Sequence, residues 1–168
     1  ALKRHKPAAP GIAAMIRVDQ AGEYGAARIY DGQLAVLGRA SAGPTIRRMR
    51  DQEQRHLDAF DSLMVERRVR PALLSPLWQV PGFALGGAAA ALGQPAAMAA
   101  TVAVEEVIEA HYARQLAALG AGEHELKLLI EACRRDEVAH RDEGLEHGAL
   151  DAPAYRLLTP AIRAGTRT

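Results

Sequence analysis

The chain of 168 residues is long enough to bury a hydrophobic core and suits a single domain. Its 21 Lys and Arg residues are balanced by 20 Asp and Glu residues, and a net charge of +1 excludes a general attraction to nucleic acid. Cys133 is the only cysteine, which excludes an intrachain disulfide and the paired cysteines of zinc ribbons and thioredoxin-like proteins. No run of roughly 18 or more apolar residues and no secretory signal is readable.

The first half of the chain predicts two long helices. Aromatic residues make up only 4% of the chain, Ala is abundant and alternating β-branched residues are scarce, so the chain as a whole is predicted to be nearly all helical. The segment "GRASAGP" at 38–44 ends the first helix. Ser41 is the predicted N-cap of the second helix, Pro44 lies in its first turn, and the helix runs to about Arg70.

The second half predicts another two long helices after a broken apolar segment. No charged residue occurs from 71 to 104, and the prolines and glycines of this stretch predict short helices and turns. A third long helix begins near Pro95 and ends at the "GAG" turn of 120–122. A fourth runs from Glu123 to about Gly148, and the tail from Pro153 forms a further short helix.

These elements predict an all-α fold in a single domain over residues 1–168. Its outline is a four-helix bundle of two helical hairpins, joined by a long apolar crossover and followed by a short C-terminal helix.

A short motif, Glu-x-x-His, occurs twice, in "DQEQRH" at 51–56 and "RDEVAH" at 135–140. Residues three apart lie on one face of a helix, so each Glu can hold an ion together with its His. A motif this short also arises by chance on a solvated helix face. The motif alone therefore leaves both interpretations open.

The surroundings of the two motifs form an internal repeat. The segments "EYGAARIY" and "EEVIEAHY" both place a Glu seven residues before a Tyr. Glu23 precedes Glu53 by 30 residues, and Glu105 precedes Glu137 by 32 residues. Each half of the repeat occupies one predicted hairpin, and the spacing around each turn places its two Glu residues at similar heights.

The repeat predicts a metal centre in the core of the bundle. One Glu from each of two helices and Glu-x-x-His from the other two is the ligand pattern of a di-iron or di-manganese site. Two divalent cations also balance four carboxylates, whose burial without cations would be prohibitively costly. The predicted ligands are Glu23, Glu53, His56, Glu105, Glu137 and His140.

Several neighbours of these ligands have open roles. Glu106 competes with Glu105 as a ligand, and only the repeat spacing favours Glu105. Tyr30 and Tyr112 either border the site or fill the core, and the core is the favoured interpretation for Tyr30.

Two polar residues are candidates to accept a hydrogen bond from an imidazole N–H. Gln52 lies four residues before His56, and Asp136 lies four residues before His140. A surface position for both is an equally good interpretation.

The apolar stretch 71–100 is interpreted as a membrane-associated insert. Ordinary core is the competing interpretation, but a four-helix bundle has little room inside for such a segment. The segment "ERRVR" at 66–70 adds three Arg residues at its edge, and Trp78 would lie at headgroup depth. A segment of this composition therefore fits the surface of an anionic bilayer.

Five blocks of the sequence resemble the demethoxyubiquinone hydroxylase family of ubiquinone biosynthesis. The resemblance extends from Ile16 to about Gly165 and rests on "IRVDQAGEYGAARIY", "DQEQRHL", "LMVERRVRPALLSPLWQVPGFALG", "VAVEEVIEAHY" and "RDEVAHRDEGLEHGA". It implies a ferritin-like di-iron monooxygenase that uses O₂ to hydroxylate a polyprenyl demethoxy-benzoquinone. Carried over by motif, the resemblance implies that the six residues predicted from the repeat hold two Fe ions.

The resemblance also implies partners and a location. The resemblance implies NADH as the reductant, acting through the bound quinone. No Gly-x-Gly-x-x-Gly fingerprint follows a strand in this sequence, so no dinucleotide-binding fold is predicted. The implied place is the membrane lipid surface, as a peripheral protein on the cytoplasmic face of a bacterial inner membrane or, alternatively, on the matrix face of the mitochondrial inner membrane. Partner proteins of ubiquinone biosynthesis and a homo-oligomer are left open. Two rival classes are an iron-storage protein and a bundle that binds a quinone without turnover.

Overall fold

The computed structural model describes residues 7–72 and 79–152 of the chain. Within these ranges the chain forms helices and no strand, which confirms the predicted all-α class. The elements are α1 (Pro10–Leu37), α2 (Gly43–Arg67), α3 (Gln79–Ala91), α4 (Gln94–Ala118), α5 (His124–Glu146) and a 3₁₀ turn (Ala149–Asp151). The tail from Pro153, predicted as a short helix, lies outside the described residues.

The four long helices form the two predicted hairpins. Helix α1 packs along α2, and α4 packs along α5. Apolar side chains from all four helices fill the bundle, and one buried cluster joins Ile16, Phe60, Tyr112 and Ile130. The predicted helical bundle is confirmed.

The start of α2 differs from the prediction by one residue. Ala42, not Ser41, is the N-cap, and no side chain caps the helix there. The Ser41 hydroxyl instead donates to the side-chain oxygen of Gln94 at the start of α4, over 3.4 Å. Pro44 lies in the first turn, where its missing N–H leaves no hydrogen bond unmade.

Helix α2 ends at Arg67, three residues before the predicted end. Arg68 adopts a left-handed conformation with φ of 55°, and its N–H is directed at the carbonyls of Met64 and Val65. The next amide, of Val69, donates to the Met64 carbonyl over 2.8 Å. A left-handed residue followed by this bond turns the chain away from the helix axis, as at many helix C-termini.

Helix α3 of the crossover lies tightly against α1. A Cβ atom built on Gly86 would collide with the backbone of Ile29, and one built on Gly32 would collide with the backbone of Phe83. Gly82 also approaches α1, where its Cβ would lie 3.1 Å from the Gly25 carbonyl oxygen. Small residues therefore allow two helix backbones to touch, and α3 is attached to the bundle along one face.

The last part of the predicted insert belongs to the core of the bundle. Residues 96–100 lie in α4 and are at most 1% exposed. The competing interpretation, ordinary core, therefore applies to this part of the stretch, because the small Ala side chains allow α4 to enter the core, and membrane association of the rest stays a prediction. Trp78 lies outside the described residues. Among the helices of the described ranges, none combines the length and the apolarity needed to cross a bilayer.

The contact between α3 and α1 predicts a difference between two adjacent glycines. Replacing Gly86 by Ala should lower the free energy of unfolding by about 1–3 kcal/mol, because the new methyl group collides with the α1 backbone. Gly87→Ala is the matched control, since its Cβ would lie 3.7 Å from the Gly32 carbonyl oxygen, an ordinary contact. Ala is also the better helix former by roughly 1 kcal/mol. Denaturant unfolding of both variants measures the difference, and equal stability would contradict the close approach.

Candidate metal centre

The six predicted ligands lie on the four long helices and are buried. Five of them are 0–1% exposed and His56 is 7% exposed. Helices α1 and α4 each contribute one Glu, and α2 and α5 each contribute a Glu and a His. The repeat in the sequence thus becomes one cluster in the core of the bundle.

The six residues form two overlapping groups. The first subsite consists of Glu23, Glu53, His56 and Glu137. The second subsite consists of Glu53, Glu105, Glu137 and His140. Within each group the ligand atoms lie within 4.8 Å of one another, and Glu53 and Glu137 belong to both. This donor set would suit two metal ions, with Glu53 and Glu137 available to both.

Each imidazole turns its Nδ1 atom toward the carboxylates of its own subsite. The Nδ1 atom of His56 lies 3.3 Å from Glu23 Oε2 and 3.3 Å from Glu137 Oε1. The Nδ1 atom of His140 lies 3.0 Å from Glu53 Oε1 and 3.6 Å from Glu137 Oε2. Each subsite therefore offers one nitrogen among several oxygens.

Most of the carboxylate oxygens and both imidazole Nδ1 atoms at the centre lack hydrogen-bond partners within the described residues. Buried polar atoms without such a partner are costly, and four carboxylates at one place also repel one another. Two divalent cations would remove both costs, so these residues fit the predicted site for two metal ions. The unpartnered atoms of the centre are Glu23 Oε2, both oxygens of Glu53 and Glu137, Glu105 Oε2, and Nδ1 of His56 and His140.

The electrostatics of the six side chains show the same conflict. Burial, together with the charges of the other carboxylates, raises the pKa of Glu53 and of Glu105 well above the usual range. Burial alone would lower the pKa of His56, but the negative charges of Glu137 and Glu23, whose oxygens lie 3.3 Å from its Nδ1 atom, raise it to about 11. Burial lowers the pKa of His140. The raised pKa values of Glu53 and Glu105 thus have the same cause as the repulsion between the buried carboxylates.

Two buried tyrosines bond to site carboxylates across the bundle. The Tyr112 hydroxyl donates to Glu23 Oε1, and the Tyr30 hydroxyl donates to Glu105 Oε1 over 2.6 Å. Tyr112 therefore borders the cluster. The assignment of Tyr30 to the core alone is wrong, because it is buried but its hydroxyl serves the site.

Asp136 and Gln52, the two candidate acceptors, each form a hydrogen bond with an imidazole, but with the His of the other helix and not with the one on their own helix. Asp136 of α5 accepts from Nε2 of His56 over 2.9 Å, and Gln52 of α2 accepts from Nε2 of His140 over 3.1 Å. Each acceptor thus serves the His of the other hairpin. With Nε2 as the donor, Nδ1 retains the lone pair that a metal needs.

The remaining acidic neighbours lie outside the two subsites. Glu105 is 1% exposed and belongs to the second subsite, whereas Glu106 is partly exposed and belongs to neither. Glu109 forms an ion pair with Arg134 at 2.6 Å. Glu105 thus stays the predicted ligand, and its burial within the second subsite supports that choice over Glu106.

Two features close to the site were not predicted from the sequence. One is a polar cluster around Asp19, and the other is the Cys133 thiol beside the first subsite. Buried Asp19 accepts hydrogen bonds from Gln115 over 2.7 Å and from His111 over 3.2 Å. Asp19 lies one helical turn before Glu23, a spacing that could have indicated it. The Cys133 sulfur groups with Glu23 and His56 within 4.8 Å, and burial raises the pKa of this thiol.

The cluster predicts different metal contents for two adjacent variants. The protein and its Glu106→Gln variant should each bind about two Fe ions per chain, whereas Glu105→Gln should bind about one or fewer. Without metal, Glu105→Gln should raise the melting temperature, since it removes one of the repelling carboxylates and keeps the oxygen that accepts from Tyr30. Elemental analysis and thermal unfolding measure both effects. A full iron complement in Glu105→Gln would remove this residue from the site.

Comparison with known proteins identifies the family. Residues 10–168 match the family described as ubiquinone biosynthesis protein COQ7. The chain is 54% identical to the 3-demethoxyubiquinol 3-hydroxylase of Rhodospirillum rubrum, with 96% of the chain and 78% of that protein covered. It is 55% identical to the human mitochondrial NADPH-dependent 3-demethoxyubiquinone 3-hydroxylase (91% and 72% covered) and 40% identical to the mitochondrial 5-demethoxyubiquinone hydroxylase of Saccharomyces cerevisiae (89% and 71% covered). The chain belongs to the COQ7 family of ubiquinone biosynthesis proteins.

Proposed function

We propose that this protein is a di-iron monooxygenase that hydroxylates a polyprenyl demethoxy-benzoquinone in ubiquinone biosynthesis. The observation that carries the proposal is the pair of overlapping buried subsites, in a chain whose relatives are named as demethoxyubiquinone hydroxylases. A ring C–H becomes C–OH, the second oxygen atom of O₂ leaves as water, and a reductant supplies two electrons.

The residues of this chain hold and orient the reacting centre. Two bound Fe ions would supply the reduction of O₂, a task that protein side chains alone do not perform. Glu53 and Glu137, which belong to both subsites, would set the spacing between the ions. The Tyr30 hydroxyl fixes the orientation of Glu105 through its hydrogen bond, and the Tyr112 hydroxyl does the same for Glu23. The apolar core around them keeps bulk water from the reaction.

A nicotinamide is the proposed reductant, and the bound quinone is the proposed electron relay. The family resemblance implies NADH, whereas the names of the human and rat relatives specify NADPH. Initial rates with each nucleotide at equal concentration decide between them. NADH stays the prediction for this chain.

Helix α3 supports substrate entry from a membrane. Val80 and Leu92, at the two ends of the α3 segment, are 75% and 62% exposed. On the inner side of α3, Leu85 packs against a buried layer that contains Ile29 and Val104. Those two residues directly precede Tyr30 and Glu105 in the sequence. One apolar layer thus separates the exposed face of α3 from the site, a short path for a quinone head whose tail stays in lipid.

The basic edge proposed for the membrane surface is smaller than the sequence suggests. Arg67 is 13% exposed in its side chain and forms an ion pair with Glu123 at 3.1 Å, so it is not available to lipid. Arg68 and Arg70 are exposed. We place the protein peripherally on the cytoplasmic face of a bacterial inner membrane, with the mitochondrial matrix face as the alternative. These two exposed arginines, which precede α3 in the chain, support contact with anionic headgroups.

Hydroxylation is tested directly by isotope labelling. Given NADH, ¹⁸O₂ and a short-chain demethoxyquinone, the iron-loaded protein should yield a product heavier by one labelled oxygen atom. Glu23→Gln should lose the label, because it removes a carboxylate of the first subsite, and Glu106→Gln should retain it. Mass spectrometry reads the label and elemental analysis reads the iron. If no oxygen enters the quinone while many irons accumulate per chain, iron storage replaces this proposal.

Membrane contact is tested by flotation with anionic liposomes. Val80→Asp should weaken flotation, since it places a charge on the exposed face of α3, and Arg68→Glu with Arg70→Glu should weaken it in a salt-dependent way. Leu128→Asp is the matched control, because Leu128 is an exposed apolar residue of α5 with 53% exposure. Equal flotation of the Val80 and Leu128 variants would leave α3 without a membrane role.

A further inference from the structure

We propose that the two subsites bind metal unequally and that the first subsite binds it more tightly. The reason is the acceptor of each imidazole N–H, which is the Asp136 carboxylate for His56 and the Gln52 amide for His140. The inference rests on the proposed metal centre but not on hydroxylation of a quinone. Asp136 and Gln52 are positioning residues in this proposal, since they contact the imidazoles and not the ions.

The internal repeat makes the two subsites directly comparable. Each contains one terminal Glu that accepts a hydrogen bond from a buried Tyr, and one His that presents Nδ1. Both share the carboxylates of Glu53 and Glu137. The two subsites differ in the residue that accepts the imidazole N–H. The repeat aligns Asp136, the acceptor for His56, with Gln52, the acceptor for His140. One acceptor is a carboxylate and the other is a neutral amide.

The type of acceptor changes the strength of the metal ligand. When the N–H of an imidazole donates to a carboxylate, the other ring nitrogen becomes a better electron donor to a metal. The effect is smaller when the N–H donates to a neutral amide. The carboxylate also adds a negative charge close to the bound cation. Changes at such positions typically alter metal affinity by about 10–100-fold. The Asp136 side chain is 41% exposed, so solvent weakens its field and we expect an effect near tenfold.

A second difference between the subsites is the thiol of Cys133. Its sulfur lies near Glu23 and His56 of the first subsite. The aligned position of the other half, four residues before Glu53, is Met49. Cys133→Ser separates the two sources of inequality, because it removes the sulfur and leaves the hydrogen bond to Asp136 intact.

The test measures where the first ion binds. Crystals of metal-free protein are prepared with one equivalent of Mn²⁺ per chain, and anomalous diffraction at the manganese edge gives the occupancy of each subsite. A tenfold preference corresponds to an occupancy ratio of at least about three to one in favour of the first subsite. An equal occupancy in the unmodified protein overturns the proposal while leaving the hydroxylase function untouched. Mn²⁺ bound away from all six ligands would instead contradict the metal centre itself.

Variants then assign the preference to the acceptors. Asp136→Asn should bring the two occupancies close to equal, and Asp136→Asn combined with Gln52→Glu should reverse their order. Asp142→Asn removes the same charge from α5 at a residue paired with Arg141, and it should leave the ratio unchanged, as should Cys133→Ser. A preference for the first subsite that survives the reversed pair of acceptors, or one that disappears in Cys133→Ser, overturns the role of Asp136.

Discussion

The mutual repulsion of four buried carboxylates is the constraint on which the rest of the structure depends. A bundle of this size could bury apolar residues at all four positions with less conflict. The chain instead uses carboxylates on four different helices and leaves most of their inward oxygens without hydrogen-bond partners. Cations at the centre would stabilise such an arrangement, because they offset the repulsion between the carboxylates. The stability of the fold and the chemistry of the site would then be coupled through metal binding.

The hydrogen bonds around the centre connect the two hairpins. Tyr30 of α1 bonds to Glu105 of α4, and Tyr112 of α4 bonds back to α1. Asp136 and Gln52 make a second crossed pair, between α5 and α2. Each hairpin thus orients ligands that belong to the other. Correct docking of the hairpins and correct orientation of the ligands become one requirement, which is how a bundle holds reactive groups in fixed positions.

The sequence predicted the helices and the ligand set because both depend on periodic spacing within one hairpin. The hydrogen bonds between the two hairpins could not be predicted, since they depend on how one hairpin is rotated against the other. Tyr30 was assigned to the core for this reason. The burial of residues 96–100 and the seating of α3 on Gly32 escaped prediction because apolar composition does not distinguish a core contact from a lipid contact. Asp19 was missed because a single Asp near a motif carries little information.

The location of iron in the loaded protein tests the central claim most directly. Crystals of the Fe-loaded protein should give two anomalous peaks at the iron edge, both between Glu53 and Glu137. One peak should lie beside His56 and Glu23, and the other beside His140 and Glu105. A single peak, or peaks at residues outside these six, would contradict the account.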